Sequence, residues 1–357
     1  MVQSTQTGMA QTVLGPIRPE KLGVTLAHEH LLIDLRFMHR VPAEAHARGV
    51  YYRPVSLETL GYLTHYSMAS LDNLTLLDVD VAVEEVKLFK QHGGQSVVDA
   101  TSIGIGRDPV SLARIARETG LNIVMGSSYY VDGSHPPDMD ERSEDGIAEQ
   151  IVRDITEGVD GTGIRAGIIG EVGCSWPLTA NERKVLRASA RAQRRTGAPI
   201  LIHPGRDEWA PMEIIDVLRG AGADIGRTVV GHLERTMFDR GPLRELADSG
   251  CFLEWDHFGL ELSYFANNPK VELPNDAQRM DFIAWAMSEG YGDRIVVSHD
   301  VSGKRSLLRY GGRGYFYIQA AIVPRMRARG FTEQAIRSVL VDNPASVLSF
   351  ASPQGEE

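Results

Sequence analysis

The segment from Val24 to Ile33 reads VTLAHEHLLI, an apolar run of strand length in which two histidines stand two positions apart. Residues two apart on a strand project to the same side, so His28 and His30 can face one point. A doubly wound sheet usually has a glycine-rich turn after its first strand, and here His-Glu-His stands in that place. The segment favours a barrel of parallel strands, with the doubly wound sheet as the alternative.

Seven further apolar runs of strand length follow this segment. Between them lie stretches with the three- and four-residue apolar spacing of helices, among them 81–91, 110–119, 180–195, 211–219, 278–288 and 315–329. The eight predicted strands are 24–33, 96–101, 122–127, 166–173, 198–203, 228–233, 251–255 and 294–299. This alternation predicts an α/β protein with a (β/α)8 TIM barrel.

The domain organisation follows from the same pattern. A chain of 357 residues, 43% of them hydrophobic, can bury the large core that a barrel needs. No linker-like stretch interrupts it, so residues 1–357 are predicted to form a single barrel domain, with an N-terminal extension over about 1–23. The long segment 35–77 after the first strand carries aromatic residues and histidines, and we expect it to cover an active site.

Charge and hydropathy exclude several classes of partner. With 37 Lys plus Arg against 47 Asp plus Glu, the formal net charge is -10, which argues against a nucleic-acid partner. No apolar run approaches the ~20 residues that cross a bilayer, so no membrane partner is expected. The absence of a leader pattern and the presence of only two cysteines predict a cytoplasmic protein. A homodimer is the commonest assembly and is the expectation here.

Side chains that can bind metals recur where the predicted strands end, the face at which barrel active sites are built. They are His28 and His30 on the first strand, Glu171 on the fourth, His203 on the fifth, His232 on the sixth and Asp300 after the eighth. A buried charge without a partner costs several kcal/mol, so metal coordination explains these positions well. The set exceeds the three ligands of one catalytic zinc and predicts two divalent metal ions, with zinc favoured over manganese, iron, nickel or cobalt.

Longer strings of sequence carry a family resemblance. They are 12–15 (TVLG), 26–31 (LAHEHL), 169–179 (IGEVGCSWPLT), 202–206 (IHPGR) and 310–312 (YGG). With them the chain resembles the amidohydrolase superfamily, and more closely the phosphotriesterase family and its phosphotriesterase-related branch, over about 11–350. The resemblance implies that His28, His30 and Asp300 hold one ion, that His203 and His232 hold the other, and that Glu171 bridges both.

Two positions depart from the phosphotriesterase pattern. Glu171 stands where phosphotriesterases and their lactonase relatives carry a carboxylated lysine, and Arg235 stands where phosphotriesterases carry an aspartate of a proton relay. These departures point away from organophosphate hydrolysis. The resemblance then implies a binuclear metal-dependent hydrolase that cleaves a small anionic N-acyl compound such as N-acetyltaurine by a metal-bridging hydroxide.

Alternative functions stay open at this point. The same chemistry could serve a lactonase or a phosphotriesterase-type esterase, and a metal-containing barrel that binds a ligand without turnover is the non-enzyme alternative. Asp300 is the predicted catalytic group, which takes a proton from water and hands it to the leaving amine.

Candidate contacts to a small anionic substrate come from the loops after the strands. Arg206, Arg235 and Lys304, the last with its neighbour Arg305, can receive an anionic group, with Arg206 as first choice. Tyr130 can donate a hydrogen bond to the substrate. His257 is a further candidate for contact with the substrate, or it orients metal ligands together with Asp256. An ordinary ion pair or packing role is the alternative for each.

Overall fold

All eight predicted strands are present in the computed structural model, which describes residues 6–41, 45, 48–262, 265–266 and 268–354. We number the barrel strands β1 to β8. Their bounds are β1 Thr25–Glu29, β2 Ser96–Asp99, β3 Asn122–Ser127, β4 Ile168–Gly173, β5 Ile200–His203, β6 Thr228–Val230, β7 Phe252–Trp255 and β8 Ile295–Val297.

Each strand pairs in parallel with the next one along the chain, from β1 round to β8. The two ends of this sheet then meet. The Asp300 amide donates to the His28 carbonyl oxygen (3.2 Å), and the His28 amide donates to Ser298 Oγ (3.0 Å). We call this junction the seam. The sheet is a nearly closed barrel, and the predicted TIM barrel is confirmed.

Helices separate the strands and cover the barrel. They are α1 Val79–Gln91, α2 Pro109–Thr119, α3 Glu144–Thr156, α4 Ala180–Thr196, α5 Ala210–Gly220, α6 Arg240–Asp248, α7 Asp276–Ser288, α8 Val323–Ala328, α9 Glu333–Arg337 and α10 Asn343–Leu348. Local sequence explains their limits. In α4, Thr179 Oγ1 accepts from the Glu182 amide (3.1 Å) and Glu182 accepts from the Thr179 amide (3.0 Å), a capping box. The helix ends at Gly197, whose φ of +74° suits glycine.

The regions outside the regular repeat close the two ends of the barrel. At the amino end, a hairpin of Ala10–Thr12 and Gly15–Ile17 packs below β3, where the Val13 amide donates to the Ile123 carbonyl (2.9 Å). At the carboxyl end lies the segment 35–77, with helices at Arg48–Tyr51 and Leu57–His65. Six of its residues line the cavity over the strand ends: Leu35, Met38, Thr64, His65, Ser67 and Met68.

Apolar side chains fill the barrel interior below the rim. Val98, Val124, Ile168, Leu201, Val229, Phe252 and Val296 form one buried cluster. Side chains two positions further along the same strands face the same interior. His203 therefore faces the same side as Leu201, and Glu254 the same side as Phe252. The alternation of side chains along each strand therefore places apolar groups inside the barrel and polar groups at its mouth. None of the described helices is long and apolar enough to cross a bilayer.

A buried ion network fixes the loop after β7. Arg279 in α7 is 0% exposed, and its Nε lies 3.2 Å from Glu234 Oε1. Its Nη1 donates to Asp276 Oδ1 (2.8 Å) and its Nη2 to the Leu260 carbonyl (2.7 Å). Glu234 also accepts the His257 amide (2.7 Å), so the network holds the loop that carries His257.

We expect Arg279→Met to lower the free energy of unfolding by about 3–5 kcal/mol, because it leaves Glu234 buried without its cation and removes the closer of the two cations at Asp276. Urea denaturation measures the change. Arg325→Met is the matched control: Arg325 is 42% exposed and lies 3.5 Å from the same Asp276, so its loss should cost at most about 1 kcal/mol. Equal losses in the two variants would contradict this reading of the network.

Candidate metal centre

The carboxylate of Glu171 on β4 lies at the centre of the strand-end cluster. It is buried, and all four predicted histidine ligands approach it. Glu171 Oε2 lies 3.3 Å from His28 Nε2, 2.8 Å from His203 Nδ1 and 3.6 Å from His232 Nε2, and Oε1 lies 3.1 Å from His30 Nε2. Histidines from the ends of three strands therefore converge on one carboxylate of a fourth strand, as expected for a bridging ligand.

Asp300 completes the predicted set from the turn after β8. Its Oδ1 lies 3.4 Å from His30 Nε2, and its Oδ2 lies 3.3 Å from His257 Nε2. Asp300 has a left-handed backbone (φ +50°), which is uncommon for a residue other than glycine. Glu29 holds this turn: it accepts from the amides of His299 and Val301 (both 2.9 Å). The middle residue of His-Glu-His thus positions Asp300 rather than joining the cluster.

Three of the imidazoles are oriented by hydrogen bonds from their outer nitrogens. His30 Nδ1 lies 2.9 Å from Thr101 Oγ1, His232 Nδ1 lies 2.8 Å from Asp256 Oδ1, and His28 Nδ1 lies 3.2 Å from Glu254 Oε2. These contacts turn the inner nitrogen of each ring toward Glu171. Such outer partners are what metal-ligating histidines generally have.

The inner atoms fit divalent metal ions. His28 Nε2 is buried and makes no hydrogen bond, and His203 Nδ1 lies only 2.8 Å from His232 Nε2. Burial lowers the pKa of His203 well below its ordinary value, and His232 and Arg235 add to this effect, so its imidazole is neutral and can coordinate. Ligand atoms of His28, His30 and Asp300 lie within 4.8 Å of one another, as do those of His28, Glu171 and His232.

Arg206, from the loop after β5, lines a cavity of about 90 Å³ beside this cluster. Its Nε is buried without a hydrogen-bond partner, and its guanidinium lies 5.7 Å from the centre of the Phe265 ring. Burial lowers the pKa of Arg206. Tyr130 lines the same cavity, with its hydroxyl 3.3 Å from His203 Nε2. Both residues lie where the sequence placed them, next to the predicted ligands.

Arg235 also lines the cavity, but its contacts are made to the metal centre itself. Its Nη2 lies 3.0 Å from His203 Nε2, and its Nη1 donates to the Pro204 carbonyl (3.2 Å). Burial lowers the pKa of Arg235 to about 10, which leaves it charged at neutral pH. The guanidinium therefore hydrogen-bonds to Nε2, the outer nitrogen of His203, and the ring presents Nδ1 to Glu171.

Lys304 does not reach the cavity. Its Nζ lies 2.5 Å from Asp72 Oδ1, a carboxylate of the long segment after β1, and this ion pair holds the ammonium away from the metal centre. The expectation that Lys304 contacts substrate is corrected accordingly. The next residue, Arg305, lines the cavity instead.

Sequence reasoning missed Glu254. This buried residue of β7 contacts His28, and burial raises the pKa of its carboxyl to about 7. Glu254 and Asp256 stand two apart at the end of an apolar run, FLEWD, the same alternation that drew attention to His28 and His30. That spacing could have identified them as a pair facing the barrel interior.

Comparisons with known proteins agree with this geometry. The sequence profile of the phosphotriesterase family matches residues 8–348. An N-acetyltaurine hydrolase of Xenopus tropicalis is 43% identical over 348 residues, which cover 97% of this chain and 99% of that protein. A phosphotriesterase-related protein of Nematostella vectensis is 43% identical over 347 residues, which cover 96% of this chain and 99% of that protein.

A solved structure shows the same fold at high similarity. The crystal structure of a resiniferatoxin-binding protein from Rhodobacter sphaeroides is 40% identical, with a TM-score of 0.94 and 97% of each chain covered. Three findings indicate the same family: the barrel, the strand-end cluster and the match along nearly the whole chain. The chain belongs to the phosphotriesterase family, a family of metal-dependent hydrolases.

Proposed function

We propose that this chain is an amidase that hydrolyses a small anionic N-acyl compound such as N-acetyltaurine. The observation that carries the proposal is the guanidinium of Arg206, which lines the cavity beside the metal centre and has no ion-pair partner among the described residues. A buried cation without an anionic partner is costly, and an anionic substrate would relieve that cost. Identity of 43% to a protein named N-acetyltaurine hydrolase supports a sulfonate as the anion.

Two divalent ions, with zinc favoured, would be held by the residues around Glu171. His28, His30 and Asp300 would hold one, His203 and His232 would hold the other, and Glu171 contacts both sets. Ions bound there would acidify a water and polarise a carbonyl oxygen.

The chain's own residues bind and orient the substrate. Arg206 receives the sulfonate or carboxylate of the amine half through charge-assisted hydrogen bonds. Burial raises the pKa of Tyr130 well above its ordinary value, so its hydroxyl stays protonated and can donate to the amide carbonyl. The segment 35–77 covers the cavity and limits the access of bulk water.

Asp300 is the group that moves the proton. Burial alone would raise its pKa, but hydrogen bonds from His257 and His30 lower the pKa well below its ordinary value, so the carboxylate is ionised. Its Oδ2 can accept a proton from the attacking water and deliver it to the amide nitrogen as the C–N bond breaks. His257 Nε2, 3.3 Å from that oxygen, steadies the carboxylate in both states.

The proposal is tested by release of free taurine from N-acetyltaurine with zinc-loaded protein. We expect turnover in the wild type and its loss in His203→Ala. No release from a protein shown to contain two metal ions would reject the amidase, and turnover of a neutral lactone by the same preparation would favour a lactonase instead.

Arg206→Met should raise KM for N-acetyltaurine by about 10- to 100-fold, since a hydrogen bond to a charged group is worth about 1.5–3 kcal/mol. Steady-state kinetics measure the change, with a neutral lactone as a second substrate. Arg219→Met is the control, because Arg219 is half exposed and pairs with Asp216 on α5. An equal loss for the neutral and the anionic substrate would contradict an anion-binding role for Arg206.

A further inference from the structure

A second compartment of about 190 Å³ adjoins the cavity at the metal centre. Phe258 and the glycine-rich stretch 311–314 enclose its far side. Six residues line both spaces, so the two form one bent cleft: Thr64, Leu260, Leu262, His299, Arg305 and Ser306. The proposed amide reaction uses only the first of these spaces.

Arg305 stands at the junction with an unsatisfied guanidinium. Its backbone amide donates to Asn73 Oδ1 (2.9 Å), while its side chain makes no hydrogen bond or ion pair within the described part of the chain. Burial lowers the pKa of Arg305 to about 10, and only Asp300 opposes this shift, so the group is a cation at neutral pH.

Neighbouring charges do not neutralise Arg305, because they are already paired. Glu261 lies 3.1 Å from Arg313 Nη2, and Asp72 holds Lys304. Asp300 belongs to the metal centre. Among the described residues, the positive charge of Arg305 at the junction of the cleft therefore has no ion-pair partner.

Arg206 and Arg305 line one cavity at the metal centre, and neither side chain makes an ion pair with any described residue. Arg206 follows β5, and Arg305 follows β8, three strands further round the ring. Glu171, His30 and His203 line the same cavity. A substrate whose reacting bond lies at the centre can thus reach Arg206 with one end and Arg305 with the other.

We propose that Arg305 binds an anionic group on the acyl half of the substrate, so that the cleft accepts amides with one acid group on each side of the reacting bond. N-succinyltaurine represents this class. The inference rests on the proposed function. In the reaction, the oxygen of water bonds to the carbonyl carbon, the C–N bond breaks and one proton passes to the nitrogen, which gives a dicarboxylate and an amino sulfonate.

The test compares kcat/KM for N-succinyltaurine and N-acetyltaurine. We expect the wild type to prefer the succinyl amide by about tenfold or more. Arg305→Met should bring the ratio close to one, and Arg305→Lys should keep part of it because it keeps the charge. Arg309→Met, in the same loop but exposed, should leave the ratio unchanged. A wild type without the preference, or an Arg305→Met variant that retains it, overturns the inference.

A binding measurement separates this inference from the proposed function. Calorimetric titration of zinc-loaded protein with succinate and with acetate needs no turnover. We expect succinate to bind about tenfold more tightly, with the difference lost in Arg305→Met. If no amide is hydrolysed but this difference is present, the amidase proposal fails and the anion site at Arg305 stands. Equal binding of succinate and acetate overturns the anion site even in an active amidase.

Discussion

Glu171→Gln should lower amide turnover by at least about 10³-fold and reduce the metal content of the purified protein. Glu171 contacts all four histidines of the metal centre, so the amide removes the negative charge on which both sets of ligands converge. The charge stabilisation that metal ions supply is worth several kcal/mol, and each 1.36 kcal/mol corresponds to tenfold in rate. Elemental analysis and taurine release are measured on the same preparation.

The control for this experiment is Glu149→Gln. Glu149 on α3 pairs with Arg195 on α4, on the outside of the barrel, and its variant should keep both metal and turnover. A Glu171→Gln protein that holds two ions and turns over at the wild-type rate would show that Glu171 does not bridge them.

Asp300→Asn should lower kcat by about 10²- to 10⁴-fold, the usual contribution of a positioned proton-transfer group. The asparagine keeps the size of the side chain but cannot carry a proton from water to the leaving nitrogen. The other five ligands remain, so metal content should fall less than in Glu171→Gln. The loss should appear in kcat, whereas the Arg206 variant should lose affinity.

Asp293→Asn is the matched control, since Asp293 is exposed just before β8. It should leave kcat unchanged. An Asp300→Asn protein with its metal ions and full turnover would remove Asp300 from the proton-transfer step.

The fold and the convergence of the six predicted ligands could be predicted because both depend on strand periodicity. An apolar run with polar residues at positions two apart, as in β1, specifies a strand and the face on which its histidines lie. The same rule applies at the end of β7, where the sequence analysis named Asp256 but missed Glu254, two positions before it.

The substrate contacts could not be predicted in the same way, because they depend on contacts between residues that are far apart in the sequence. Lys304 and Arg305 are adjacent cations after β8, and the sequence does not choose between them. Asp72 pairs with Lys304 from 232 positions away, and Arg305 lines the cleft. Arg235 lines the cavity and also lies 3.0 Å from His203, whose ring it orients. A long-range ion pair distinguishes the first two residues, and a long-range hydrogen bond gives Arg235 its second role.

The seam between β1 and β8 gives the order in which this protein can become functional. His28 and Asp300 contribute to the metal centre from opposite ends of the chain, and the backbone atoms of these two residues also join the strands. As the chain leaves the ribosome from its amino end, seven of its eight strands can be present before β1 meets β8 at this junction. Completion of the ligand group His28, His30 and Asp300 would thus coincide with closure of the barrel, once synthesis has passed residue 300.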